Sequence, residues 1–304
     1  MVSKCGYIKD LLCQKDILCV ENESLKKHTS FKIGGKCKIL AYPKNPKQVL
    51  YILNICKNNG IPYFILGRGS NLLVSDSGFE GVVISSKNLN NIKLISDNEI
   101  YCESGVNLSR LCNFALKNSL SGLEFAFGIP GSVGGAIFMN AGAYGGEMKD
   151  VVENVTHLDK TGQIRKFENA DLNFSYRHSV YQEQESFILG AVLKLFKSEK
   201  SEIKRKMDEL LKMRKEKQPL EFPSAGSAFR RPKNGYAAAL IEKCGLKGER
   251  VGGAQVSKKH SGFIVNLGGA TSDDVNKLIK KVQKIVAEQT GVFLEPEIKY
   301  VESK

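Results

Sequence analysis

Between residues 47 and 59, Val49, Leu50, Ile52, Leu53 and Cys56 recur at helical spacing, which predicts a helix that Gly60 stops. The apolar run Tyr63-Phe64-Ile65-Leu66 follows and reads as a buried strand. Val82-Val83-Ile84, Ile92-Lys93-Leu94-Ile95 and Ile100-Tyr101-Cys102 predict further strands, and a helix is expected around Leu108 to Leu116. Val151 to Phe167 reads as a hairpin turning on Asp159-Lys160-Thr161-Gly162, and Phe187 to Phe196 as another strand. After Phe196 the pattern changes. Ser201 is placed to cap a charged helix that turns Ile203, Met207, Leu210 and Leu211 inward. A second helix is expected from about Ser272 to Gln289, announced by Thr271 with Asp274 three residues on and ended by Gly291. Its inward stripe is Val275, Leu278, Ile279, Val282, Ile285 and Val286, with strands at Phe263-Ile264-Val265 and Val292 to Tyr300 on either side.

Strands and helices mix without a regular βαβ rhythm, which argues for an α+β fold. The change of pattern sets a domain boundary near residue 197. The expected layout is a first domain over 1–197, in parts of about 1–60 and 61–197, and a second over 198–304. A chain of 304 residues, 42% apolar and 25% charged, has the material for two such cores. Lys9, Asp10, Lys15 and Asp16 break the N-terminal stretch, so no signal peptide is expected. The Phe187 to Phe196 stretch is interrupted by Lys194 and is too short to cross a bilayer. Eight scattered cysteines, with no C-x-x-C, read as reduced thiols and give no metal site. The expectation is a cytoplasmic protein without a membrane partner, a monomer or weak oligomer.

The net charge of +13 admits nucleic acid, a membrane surface or phosphorylated small molecules as partners. Its lysines are dispersed, and the densest stretch, 197–217, interleaves them with Glu199, Glu202, Asp208, Glu209 and Glu216, the pattern of a solvated helix face. No helix-turn-helix, zinc-finger or RNA-binding signature accompanies the charge, so nucleic acid is not expected.

Candidate chemistry begins at Gly67-Arg68-Gly69-Ser70-Asn71, directly after a predicted strand. Two glycines around one residue permit a tight turn that points successive amides at an anion. A Rossmann fingerprint would need glycine at 72, where Leu72 stands, and the Gly-Lys-Ser/Thr end of a P-loop is absent. Alone, the segment is equally a simple turn. A second glycine-rich stretch contains Gly131, Ser132, Gly134, Gly135 and Ala136, then Gly142 and Ala143. Such density costs backbone entropy, and close approach to a large, flat or phosphorylated ligand would justify it; a loop-rich crossover is the bland alternative. Three more segments carry reactive side chains. Tyr176-Arg177 offers a guanidinium fork, suited to a carboxylate or to an ordinary ion pair. Ser224-Ala225-Gly226-Ser227 sets serines among small residues, as a presented hydroxyl or a turn residue. In Leu294-Glu295-Pro296-Glu297-Ile298 a strand puts both glutamates on one side and Leu294, Pro296 and Ile298 on the other, as a site or a charged sheet edge.

Taken together, Thr29-Ser30-Phe31-Lys32-Ile33-Gly34-Gly35, the Gly67 loop and the Gly128 to Gly146 region resemble the flavin-binding domain of vanillyl-alcohol-oxidase (PCMH) type flavoproteins. Within that group the chain is most similar to the UDP-N-acetylenolpyruvoylglucosamine reductase family, over nearly its whole length from about residue 28. The resemblance implies an FAD-binding domain followed by a smaller α+β substrate-binding domain. It implies FAD held non-covalently, Ser70 and Asn71 standing where some relatives carry a linking histidine. It implies reduction of an enolpyruvyl ether on a UDP-sugar, with hydride passing from NADPH to the flavin and on to the substrate. Arg177, Ser227 and Glu297 match the family's catalytic positions, Ser227 as proton donor. Arg214 and Lys217 match its basic pair for substrate phosphates, and Tyr176 is a second substrate contact. Only 49 residues separate Arg177 from Ser227, the spacing of a shorter subtype without the tyrosine-bearing substrate loop. Gly252 to Ser257 resembles a segment near the sugar nucleotide, while His260 reads as a surface or capping residue.

Overall fold

The computed structural model describes residues 4–233 and 235–303. Its helices are α1 (Lys4–Cys13), α2 (Pro46–Asn58), α3 (Leu108–Lys117), α4 (Val133–Phe138), α5 (Lys200–Lys217), α6 (Ala237–Lys243) and α7 (Ser272–Thr290). By contacts the chain divides into two units. The first takes the chain up to Val20, Ile39–Arg68 and Val82–Met213; the second takes Glu21–Lys38, Gly69–Gly81 and Arg214 onward.

The first unit is organised by a five-stranded antiparallel sheet in the order Ile164–Glu168, Val152–Leu158, Phe187–Lys194, Glu99–Glu103, Ile92–Leu94. Pleating, interrupted by a register shift between Ile188 and Gly190 that exchanges the faces of the central strand, assigns its side chains to two cores. Phe187 and Leu189 join Ile39, Val49, Ile52 and Val82, while Ile188, Ala191 and Leu193 join Ile100, Leu111 and Val133. The predicted hairpin forms, and Asp159 organises its turn. One carboxylate oxygen of Asp159 accepts from the Thr161 hydroxyl and from the amides of Thr161 and Gln163, holding the group well below the usual carboxylate range. Gly162, at φ +83°, completes the reversal.

Two expectations for this unit need correction. Tyr63–Leu66 is a strand, yet only Leu66 is buried and Ile65 stays 40% exposed. It lies last in a four-stranded sheet ordered Leu18–Glu21, Cys37–Tyr42, Phe79–Ser85, Tyr63–Leu66, and an edge strand is covered on fewer sides. The apolar run forecast a strand but not its place in the sheet. Helix α5 begins at Lys200, so Ser201 lies in its first turn and does not cap it. Ile203, Met207 and Leu210 are buried as expected. Burial also pushes the Cys56 thiol up to about 12, an inert group.

The second unit has a four-stranded antiparallel sheet, Ser224–Ser227, Phe263–Asn266, Ala254–Val256, Arg250–Val251. Its core combines Ile264 and Val256 with Val275, Leu278, Val282 and Val286 of α7, and with Phe31, Ile33 and Leu73 from the earlier segments. The expected strand at 292–300 shrinks to Lys299–Val301, paired in parallel with Leu72–Val74. Ahead of it the backbone makes an isolated bridge in which the Arg230 amide donates to Glu295 O (2.8 Å) and the Glu297 amide to Ala228 O (2.9 Å). Pro296 faces Phe229 between these bonds, so its missing N–H leaves no carbonyl waiting. Leu294 and Ile298 are buried, and Pro296, although exposed, lines the same small cavity as Ile298, in keeping with the alternation.

Helix α7 is capped as its sequence predicts. Thr271 Oγ1 accepts from the Asp274 amide (3.0 Å), and Asp274 Oδ2 accepts in return from the Thr271 amide (3.0 Å). Asp76 adds an acceptor from outside the helix, taking the Ser272 amide (2.8 Å) and hydroxyl (2.7 Å). Gly291 ends the helix at φ +71°. Thr271→Ala is expected to lower stability by about 1 kcal/mol, read as a shift in the urea-unfolding midpoint at unchanged slope. An unchanged midpoint would show that Asp76 and Asp274 satisfy the helix start without it.

Candidate functional site

In the first unit, the ends of the two glycine segments meet. Gly67 closes the strand Tyr63–Leu66, and a Cβ added to it would lie 2.6 Å from Ser132 Oγ. The second stretch is not loop throughout: Gly134, Gly135 and Ala136 fall within α4, preceded by Ser132. The Gly134 amide donates to Ser104 O at 2.8 Å, and a Cβ at Gly134 would come within 2.8 Å of the Ser104 Cβ. A Cβ at Gly131 would be 3.2 Å from Leu108. These glycines let backbone segments touch where any side chain would separate them. The hydroxyls of Ser104 and Ser132 are both buried and have no hydrogen-bond partner among the described residues. Each such group costs about 1–3 kcal/mol if left unsatisfied, so the pair fits a polar ligand group that takes up the missing bonds.

Beyond α4, Asn140 is fully buried with φ +41°. Its Oδ1 accepts from the Lys149 amide (3.0 Å), and its Nδ2 donates to Glu147 Oε2 (2.8 Å) and to Ser175 O (3.0 Å). Between these anchors Gly142–Ala143 pairs with Gly146–Glu147 across Tyr144 and Gly145, at φ +52° and +88°, the two left-handed positions of a type I′ turn. A second tight turn carries Tyr176 and Arg177 between Ser175 and His178, whose backbones exchange hydrogen bonds of 3.1 and 3.2 Å. Arg177 is left-handed at φ +55° and partly buried. Its guanidinium lies 5.1 Å from the Tyr176 ring centroid, and Nη2 donates to Gly142 O (3.2 Å). The arginine turn and the glycine hairpin are therefore brought together, and Tyr176 supports the guanidinium by a cation–π contact. Arg68 is exposed.

The second unit gathers three of the remaining predicted segments. Ser227 follows Gly226 (φ +78°) at a register shift in its strand and pairs with Phe263. The next residues form the bridge that holds Glu297, as described above. Asn71 Nδ2 donates to Glu297 O (3.1 Å), and Asn71 O accepts from the Lys299 amide (2.9 Å). Ser227, Glu297 and Asn71 thus lie in one continuous hydrogen-bonded backbone. Gly69 stands at φ +63°, where a Cβ would meet His28 O at 2.1 Å; the Gly69 carbonyl accepts from Ser30, whose hydroxyl donates to Ser224 O at 2.7 Å. Ser70 is half-buried beside them. Burial, and next the Arg230 charge, hold Lys299 below its usual value.

Arg214 and Lys217 sit on the last turn of α5. Arg214 is buried and its Nη1 donates to Gln218 (3.1 Å), whereas Lys217 is exposed. Lys259 reaches this turn and donates from Nζ to Lys215 O (2.7 Å). His260 acts as a capping residue, its Nδ1 accepting from the Gly262 amide (3.2 Å); it is half-buried, packs edge-on to Phe263 at 5.0 Å, and burial lowers its pKa.

Sequence reasoning missed Ser104, Asn140 and Gln182. Ser104 stands beside Gly105, where a Cβ would lie 1.9 Å from Ser86 O, a crowding that only the fold reveals. Asn140 reaches Ser175 O and Gln182 reaches Phe138 O, each more than thirty residues away, and no spacing announces that.

Comparison with known proteins bears on both units. A family model described as an FAD binding domain matches residues 37–168, and one described as the C-terminal domain of UDP-N-acetylenolpyruvoylglucosamine reductase matches 218–301. The chain is 52% identical over 283 residues to the UDP-N-acetylenolpyruvoylglucosamine reductase of Caldanaerobacter subterraneus subsp. tengcongensis, covering 93% of each protein. It is 50% identical over 280 residues to that of Clostridium novyi, covering 92% of this chain and 91% of the relative. The crystal structure of UDP-N-acetylenolpyruvylglucosamine reductase from Thermus caldophilus superposes with a TM-score of 0.79 at 35% identity, covering 94% of this chain and 99% of that one. The fold is α+β, with an FAD-binding domain ahead of the reductase C-terminal domain, and FAD is its cofactor. Gly134→Ala is expected to weaken FAD retention by about tenfold or more, or roughly 1.4 kcal/mol, followed as flavin absorbance per protein after dialysis. Wild-type retention would remove the Gly134–Ser104 contact from the flavin site.

Proposed function

Because the chain belongs to the UDP-N-acetylenolpyruvoylglucosamine reductase family, we propose that it reduces the enolpyruvyl ether of UDP-N-acetylglucosamine to the lactyl ether of UDP-N-acetylmuramate. In this reading the reaction is a step of peptidoglycan precursor synthesis, with FAD held non-covalently and NADPH as reductant. The observation that carries it is that one chain matches both an FAD-binding domain and the C-terminal domain that gives the reductase its name. Residues 1–197 would serve the flavin and 198–304 the UDP-sugar.

FAD, when bound, supplies the hydride, taken from NADPH and delivered to the terminal carbon of the enolpyruvyl group. The protein must then manage the electron pair left on the central carbon, which delocalises into the neighbouring carboxylate as an enolate. Arg177 meets that charge with a guanidinium that never deprotonates and whose planar fork matches a carboxylate. Glu297, in its protonated form, would donate a hydrogen bond to the same group. Ser227 gives its proton to the central carbon and completes the lactyl ether. A serine hydroxyl is a weak acid, so this step depends on donors that stabilise the oxygen left behind. Arg214, Lys217 and Tyr176 are assigned to the substrate, the two cations to its phosphates.

The two half-reactions separate these roles. Ser227→Ala is expected to leave flavin bleaching by NADPH nearly intact and to slow recovery with the enolpyruvyl UDP-sugar by roughly 10²–10⁴-fold, both followed by stopped-flow absorbance. Equal losses in the two halves would mean that the serine strand shapes the flavin site and supplies no proton.

A further inference from the structure

The backbone of Arg177 occupies a conformation that arginine does not favour. At φ +55° its Cβ crowds the following carbonyl, a cost on the order of 1–2 kcal/mol that glycine avoids. Such a conformation persists only where neighbouring groups over-determine it. Asn140 fixes the near side by donating to Ser175 O (3.0 Å). On the far side, Gln182 Nε2 donates to the carbonyl of Arg177 itself at 2.8 Å and to Phe138 O, at the end of α4, at 3.0 Å. An amide nitrogen has two protons, enough for these two carbonyls, and the Met139 sulfur lies farther off at 3.9 Å.

Gln182 is itself firmly seated. It ends a short 3₁₀ turn, Val180–Gln182, entered from Ser179, whose hydroxyl donates to the same Phe138 O (2.8 Å). Within that turn the Tyr181 hydroxyl meets His157 Nδ1 (3.0 Å), and both side chains are buried against the Phe167 ring. The amide of Gln182 therefore ties Arg177 to a rigid support made of α4 and the Val152–Leu158 strand.

We infer that Gln182 is a positioning residue for the reaction: by clamping the Arg177 carbonyl it keeps the arginine turn left-handed and so aims the guanidinium. This rests on the proposed role of Arg177, and it makes Gln182 necessary to the substrate half-reaction without contact with the substrate. The test uses the FAD-loaded protein and Gln182→Met, which keeps the side-chain length but removes both donors. The substrate half-reaction is expected to slow by about 10- to 100-fold, with flavin bleaching by NADPH within about twofold of wild type. Hydrogen exchange should accelerate at the Ser175–His178 amides and stay unchanged along Val152–Leu158. Combined with Arg177→Ala, Gln182→Met should add no more than about twofold, because the clamp acts only through the arginine. Equal slowing of both halves, no slowing, or full multiplication of the two single effects would overturn the inference. The two proposals fail differently. If Arg177→Ala leaves the substrate half-reaction intact, the role of the arginine is wrong; if it cripples that step and Gln182→Met does not, only the clamp is wrong.

Discussion

The first unit depends on one buried amide. Asn140 makes three hydrogen bonds from a fully buried side chain, and through them the turn after α4, the glycine hairpin and the start of the arginine turn are held in a single arrangement. An unpaired buried amide is costly, so the three partners are not independently mobile: displacing one leaves a polar group stranded in the interior. Gly142 then accepts from Arg177, which joins the hairpin to the guanidinium directly. The glycines contribute by absence. Their missing side chains let Gly67 approach Ser132 and Gly134 approach Ser104, and two hydroxyls are left buried with no partner among the described residues.

The second unit relies on backbone more than on side chains. Asn71, Glu297, Ala228 and Gly262 follow one another through amide-to-carbonyl or side-chain-to-carbonyl bonds, so four distant stretches of sequence share one frame. Helix α7 closes over the core of this unit, and its start is fastened from outside by Asp76. A bridge that alternates donors past Pro296 explains how a proline fits between two glutamates beside a strand that carries a serine.

Much of this was legible in the chain. Periodicity placed α2, α3 and α7 to within a residue or two, because each buries one apolar stripe and carries its own stop or cap. The glycine density and the reactive segments were visible as well, although their meaning came from resemblance and not from spacing. What stayed hidden depends on neighbours distant in sequence. Ile65 looks buried until its strand proves to be an edge. Asn140 and Gln182 read as ordinary polar residues, since their value lies in the carbonyls of Ser175, Arg177 and Phe138. Composition and pattern describe what a side chain prefers; they do not report which carbonyl it will find.

The left-handed backbone at Arg177 has an evolutionary consequence. Glycine, or to a lesser degree asparagine, would occupy φ +55° at lower cost, so arginine stands there against the local preference of the chain. A library selected only for heat resistance should drift toward glycine at this position, and one selected for growth should keep arginine. Position 177 is thus a place where durability and fitness favour different residues, and a consensus drawn from stabilised variants would erase the group for which the turn was built.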